Sequence, residues 1–197
     1  MSPRPYNLGK RRETIDQGRQ QVLDAARSLL AGTDGYAAFT VDAVARQADV
    51  ARATVYYQFG SKAGLLEAVC DHLADLGGLA GLAGAFTEPD PHRALRRFIG
   101  CFGQFWAADR AATRRLRALA ALDPDVGAVI AARDQRRRNG LDVLVGRLPD
   151  PPADPGHAVR MLSALTSFET FDALAGPGQD LTGVVPDVLQ LAQAALH

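Results

Sequence analysis

The chain has 197 residues, 47% of them hydrophobic and 22% charged, with equal numbers of basic and acidic side chains and a formal net charge of zero. That length supports one large or two small domains with a sizeable buried core. A bilayer span needs about 20 apolar residues, and the longest apolar stretch, LGGLAGLAGAF at 76–86, is far shorter and rich in Gly, so no membrane partner is expected. The opening MSPRPYNLGKRR lacks the apolar run of a secretory signal, so a cytoplasmic protein is expected. Two cysteines, Cys70 and Cys101, are too few for a disulfide framework and sit among apolar neighbours, where a reduced, buried thiol is the ordinary outcome.

Ala and Leu carry most of the apolar fraction, and no alternating run rich in Val, Ile and Thr occurs, so the chain reads as helical with almost no strand. Charge is unevenly spread. Residues 1–62 hold nine Lys or Arg against six Asp or Glu, and residues 63–197 hold thirteen against sixteen. A basic N-terminal part points to a polyanionic partner there.

In chain order, Val22, Leu23, Ala26, Leu29 and Leu30 predict an amphipathic helix from about residue 16 to the turn GTDGY at 32–36. Thr40 is a good N-cap for a short helix whose Val41, Val44, Ala45 and Ala48 fall three and four apart. ADV interrupts it, ARATVYYQF supplies another short helix with Val55 and Phe59 four apart, and Ser61 caps a third carrying Leu65, Leu66, Val69 and Leu73 inward. Residues 77–91, rich in Gly and Pro, read as a boundary or hinge. Beyond it, helices are expected at about 92–107, 110–121, 125–147, 157–175 and 182–196, broken by DPD, PDPPADPG and GPGQD.

Two short helices joined by a three-residue turn are the geometry of a helix-turn-helix, whose second helix lies in the DNA major groove. Val55 and Phe59 face the core, leaving Arg52, Ala53, Thr54, Tyr56 and Tyr57 toward the groove. Arg can read guanine, Thr can reach a base edge, and tyrosine hydroxyls donate to phosphate. Lys62 sits in the first turn of a helix, against the positive end of its dipole. A DNA phosphate at that position would reverse the sign of the interaction. An unadorned helical subdomain, with the Tyr pair and Arg52 merely in solvent, does not explain this combined spacing.

The run VLDAARSLL, followed by GYAAFTVDAVARQADVARATVYYQFGSKAGLLEAV, resembles the DNA-binding domain of the TetR family over roughly residues 17–76, through the spacing of Ala26, Gly35, Thr40, Val44, Ala45, Ala48, Val50, Tyr56, Phe59, Lys62 and Leu65. The resemblance implies a homodimeric bacterial transcriptional regulator whose variable C-terminal helical domain binds a small molecule and releases the DNA. It places Thr40, Thr54, Tyr56, Tyr57, Gln58 and Lys62 at the DNA backbone, and Arg52 and Ala53 where bases are read. Two positions depart from the family pattern: Asp49 stands where Gly is common in the turn, and Ala51 where Ser commonly caps the recognition helix.

The expected fold is therefore all-α, with about nine helices: a basic N-terminal arm over 1–16, a three-helix helix-turn-helix DNA-binding domain over 17–77 with its motif at about 40–59, and a helical bundle for ligand binding and dimerisation over 78–197. The arm, with Arg4, Lys10, Arg11 and Arg12, can reach an adjacent minor groove or remain a plain tail.

In the C-terminal half, Phe98, Phe102, Phe105 and Trp106 share one broad helix face, and Met161, Leu165, Phe168 and Phe171 share another. Each fits ordinary core; together the two faces could line a pocket for an apolar or aromatic effector, with Phe98, Phe102, Phe105, Trp106, Met161, Leu165 and Phe168 as its candidates. The last helix is apolar on two stripes, so pairing of the last two helices with their copies in a homodimer is expected. Two-fold symmetry then predicts a palindromic double-stranded operator. The arginines at 114, 115, 117 and at 136–138 read as solvated helix faces.

A helical enzyme would need a nucleophile with its base, a metal cluster or a phosphate loop; the four His are isolated and no Walker pattern occurs, so no catalytic residue, metal or cofactor is expected. The remaining rival is a helical-bundle protein that binds a small molecule or protein partner without operator binding. The favoured expectation is a repressor in which an effector shifts the hinge near 76–91 and moves the recognition helices apart.

Overall fold

The computed structural model describes residues 8–32 and 39–196, with backbone alone for 8–15. The calls on Arg4 and Gly35 lie outside the described residues. Those residues are helical throughout their regular structure, with no strand. The chain divides into two compact units, Met1–Val69 and Cys70–His197.

The first unit holds α1 (Leu8–Ala31), α2 (Val41–Gln47), α3 (Arg52–Phe59) and the start of α4 (Lys62–Leu76), so the division falls inside α4. Val22, Leu23, Ala25, Ala26 and Leu30 form the buried stripe of α1, as the spacing predicts. That helix begins well before the expected start near residue 16, so Lys10, Arg11 and Arg12 lie on α1 rather than in an arm. The expectation located the apolar stripe, but ETIDQGRQQ consists mostly of residues that sustain a helix without one. Gln21 of α1 donates to the Ala48 carbonyl at 2.9 Å, satisfying an otherwise orphan acceptor at the end of α2.

The second unit contains a 3₁₀ turn (Leu79–Leu82), α5 (Ala83–Thr87), α6 (Pro91–Ala108), α7 (Arg110–Ala120), α8 (Pro124–Val145), α9 (Pro155–Leu165), α10 (Phe168–Ala175), a second 3₁₀ turn (Leu181–Val184) and α11 (Val185–Ala194). Breaker sequences here are also starters: Asp90, Asp123 and Asp154 accept first-turn amides, and each precedes a proline at the helix start.

Two elements differ from expectation. Residues 79–87 are helical rather than a bare hinge, with Leu79 and Leu82 packed on the core and Arg147 donating to the carbonyls of Phe86 and Glu88. The expected helix 157–175 is two helices, because Ser167 caps α10 by accepting from Thr170 N at 3.3 Å. The break turns the Thr166 carbonyl to the buried Trp106 indole, which donates to it at 3.0 Å.

Arg110, at the start of α7, donates to Asp172 Oδ1 at 2.6 Å and to the carbonyls of Asp172, Gly176 and Gln179 at 3.0, 2.7 and 2.9 Å. It closes the end of α10 as a polar staple. Burial pushes the Asp172 carboxyl up, but hydrogen bonds from Arg114 and Arg110 outweigh it and hold the group below the usual aspartate range. A depressed folded-state pKa adds stability above the unfolded pKa, and that stability disappears as pH falls through the folded value. Urea melts across an acid series should therefore show wild type losing stability below the ordinary aspartate range. Asp172→Asn should be less stable at neutral pH and show a shallower acid decline; parallel curves would contradict this.

Candidate nucleic-acid interface and apolar cavity

The junction of α2 and α3 is a Schellman closure: Val50 N donates to Ala45 O at 3.0 Å and Asp49 N to Arg46 O at 3.2 Å, with Asp49 in the left-handed region at φ 52°. Asp tolerates this conformation less well than the Gly it replaces in the family pattern. Thr40 Oγ1 caps α2 by accepting from Ala43 N at 3.1 Å. Ala51 offers α3 no side-chain cap.

In α3, Val55 and Phe59 are buried, whereas Arg52, Ala53, Tyr56 and Tyr57 are exposed, Tyr57 at 88%. Thr54 is half-buried, and Lys62 is half-buried at the start of α4. Arg52 pairs with Asp42 of α2 at 3.1 Å and donates to the Tyr56 hydroxyl at 3.3 Å. The Tyr56 bond and then Asp42 raise its pKa above the ordinary value. Both partners of this ion pair are solvent-exposed, so exchange for a base or phosphate costs little.

Gln58, expected at the DNA backbone, is turned inward. Its amide nitrogen lies 3.4 Å from the position of a Cβ on Gly18, its Oε1 is buried without a protein donor, and its backbone carbonyl accepts from Arg19 at 3.1 Å. These contacts with Gly18 and Arg19 place Gln58 on the α1-facing edge of α3.

Gly64 was not among the candidates. A Cβ there would lie 2.1 Å from the Phe59 carbonyl oxygen, so only glycine lets α4 start this close to the end of α3. The signal was a glycine in the first turns of a helix, where it costs about 1 kcal/mol relative to Ala and therefore marks a close approach.

Within the second unit, α4, α6, α7, α8 and the 79–87 segment enclose a cavity of about 320 Å³. Phe98, Phe102, Phe105 and Trp106 line it; Phe98 and Phe102 stack at 4.9 Å and Phe105 and Trp106 at 4.4 Å between centroids. Met161, Leu165 and Phe168 do not. Met161 is exposed, Leu165 packs partly against the core, and Phe168 is buried edge-on to Trp106 at 5.8 Å. The opposite wall comes from α7 and α8, including Arg117, Arg133, Asp134 and Arg137.

Arg137 is thus buried and Arg117 half-buried, rather than on solvated faces. Val126, Ile130, Arg133, Arg137, Leu141 and Leu144 recur at three and four, so two arginines interrupt the apolar stripe of α8. That spacing was the available signal. Burial lowers the Arg137 pKa, whereas for Arg117 hydrogen bonds to Asp134 and Glu169 outweigh burial and raise it. Burial also raises the Cys101 thiol, which disfavours its reactive form. Among the described residues, no cluster of His, Cys, Asp or Glu is arranged to hold a metal, and no helix is long and apolar enough to cross a membrane.

Residues 22–69, which carry this helix-turn-helix, match the model of the bacterial regulatory proteins, tetR family. Over these residues the chain is similar to the TetR family. Proteins of that family are DNA-binding transcriptional regulators and not enzymes. The HTH-type transcriptional regulator AlkX of Mycobacterium tuberculosis is 46% identical over 57 residues, which are 29% of this chain and 26% of that protein. The aligned segment thus spans about a quarter of that relative.

Likeness of fold to solved transcriptional regulators extends through both units. The transcriptional regulator FadR from Bacillus subtilis, solved in complex with stearoyl-CoA, aligns with a TM-score of 0.67 at 20% identity, over 90% of this chain and 99% of its own. A Saccharomonospora viridis regulator in complex with choline aligns with a TM-score of 0.65 at 17% identity, over 90% of this chain and 96% of its own. At such identities the likeness is one of fold.

Gly64→Ala should cost on the order of 1–3 kcal/mol, because the added methyl overlaps backbone that cannot rotate away. A urea melt with unchanged midpoint would show that α3 and α4 do not depend on this approach.

Proposed function

We propose that the protein is a ligand-responsive, sequence-specific transcriptional repressor acting as a cytoplasmic homodimer. Residues 17–77 serve as its DNA-binding domain and 78–197 as its ligand-binding and dimerisation domain, with basic residues of 1–16 reaching an adjacent minor groove. The observation that carries this reading is the split of α3, which buries Val55 and Phe59 and leaves Arg52, Ala53, Tyr56 and Tyr57 exposed. Arg52 and Ala53 read bases, while Thr40, Thr54, Tyr56, Tyr57 and Lys62 hold phosphates. Gln58 supports α3 from behind.

For dimerisation, Met161 of α9, Leu174 of α10 and Leu191 of α11 are 40%, 42% and 44% exposed, an apolar surface that a second copy would cover. A two-fold pair of recognition helices would read a palindromic operator. The effector is a small molecule with an apolar or aromatic body in the cavity lined by α6, whose volume lies within the usual range for ligand pockets. The ligands in the FadR and S. viridis structures support ligand binding in this fold, while effector choice here rests on this chain's own lining. Occupancy is coupled to DNA through α4, which carries Lys62 at its start and lines the cavity with Leu73 and Ala74 near its end.

Selection of random duplexes by the purified chain at two salt concentrations tests the reading. A palindrome should be enriched, binding should weaken as salt rises, and Tyr56→Phe and Lys62→Ala should each weaken it further. Absence of enrichment and of any low-salt binding would favour a helical module that binds a small molecule or protein without an operator.

A further inference from the structure

The cavity contains a charge that the apolar-effector reading does not use. Arg137 is 7% exposed, and no protein atom accepts from its Nε or Nη1. Its one ion-pair contact is Nη2 to Asp134 Oδ1 at 3.2 Å. That carboxylate is already engaged at both oxygens by Arg117, at 3.3 and 3.0 Å, and Glu169 is bound by Arg117 as well. The Arg137 guanidinium lies 5.8 Å from the Phe102 ring centroid, at the edge of the aromatic wall. An arginine keeps its charge, and buried donors without acceptors are costly. Arg137 is among the residues that line the cavity, so an occupant that settles against it can supply the acceptor.

We propose that the effector is an amphiphile with a single carboxylate, whose apolar tail lies against the α6 aromatics and whose head accepts hydrogen bonds from Arg137. This deepens the reading of the cavity as an effector site and rests on it. A carboxylate matches the planar fork of the Arg137 guanidinium, whereas Arg117 is already engaged by Asp134 and Glu169. A quaternary ammonium would bring a second cation to Arg137 and is excluded as the head group.

Trp106 is the chain's single tryptophan and lines the cavity, so its emission reports occupancy in the full-length protein. Octanoate, octan-1-ol and octyltrimethylammonium share a tail and differ in head. Wild type should bind octanoate about tenfold or more tightly than octan-1-ol, the value of one charge-assisted hydrogen bond, with the ammonium weakest. Arg137→Met keeps the side chain's length and apolar stem; it should bind octan-1-ol as wild type does and lose the octanoate preference to within about twofold. Equal binding of acid and alcohol by wild type, or a preference that survives Arg137→Met, would overturn the carboxylate head while leaving the cavity as a ligand site. If none of the three shifts Trp106 emission, the cavity reading fails and the proposal with it. The wild-type comparison is decisive even if Arg137→Met does not fold.

Discussion

A helix of two turns can bury one stripe of side chains and no more, and α3 uses its stripe for Val55 and Phe59. Everything on its other face must then be polar enough for water or bound by something else. Tyr57, at 88% exposure, is a poor choice for water alone and a good one for a phosphate oxygen. The surroundings hold that face in register: the Schellman closure at Asp49 sets the angle between α2 and α3, and Gly64 sets the start of α4 against the end of α3. The local rules broken here, a left-handed Asp and an uncapped recognition helix, fall where function constrains the chain more than stability does.

In the second unit the row of aromatics on α6 has the corresponding role. Trp106 is fixed by its bond to the Thr166 carbonyl, which the interruption between α9 and α10 makes available, and Phe98 and Phe102 extend the wall from it. Small residues let neighbouring elements close around this wall: Gly140 of α8 would place a Cβ 3.1 Å from both Phe86 and Phe98, and Gly77 would place one 2.7 Å from the backbone of Phe105. Against so apolar a surface the arginines of α7 and α8 stand out energetically. Arg117 is compensated by two carboxylates, and Arg137 is compensated only in part.

Much of this was legible in the residues. The all-helical fold, the helix-turn-helix, the inward Val55 and Phe59, and the caps Thr40 and Ser61 follow from short-range rules of spacing and capping. Tertiary features were harder to read. The side of α3 on which Gln58 lies depends on α1, and the placement of Met161 on an exposed face depends on which side of α9 meets α8 and α11. The cavity's second wall was missed because charged runs such as RRLR and RRR read as solvent-facing, although their spacing placed Arg133 and Arg137 within the apolar stripe of α8. The helix at 83–87 has too little periodic sequence to announce itself and is held by contacts with the core and by Arg147.

The two functional surfaces gain meaning together only if they are coupled, and coupling between binding sites is reciprocal. The most direct measurement is operator affinity of the full-length protein with and without octanoate at a concentration that saturates the Trp106 change, paired with octanoate affinity with and without operator. Each ligand should weaken binding of the other by the same factor. Unchanged operator affinity while Trp106 reports a filled cavity would contradict it.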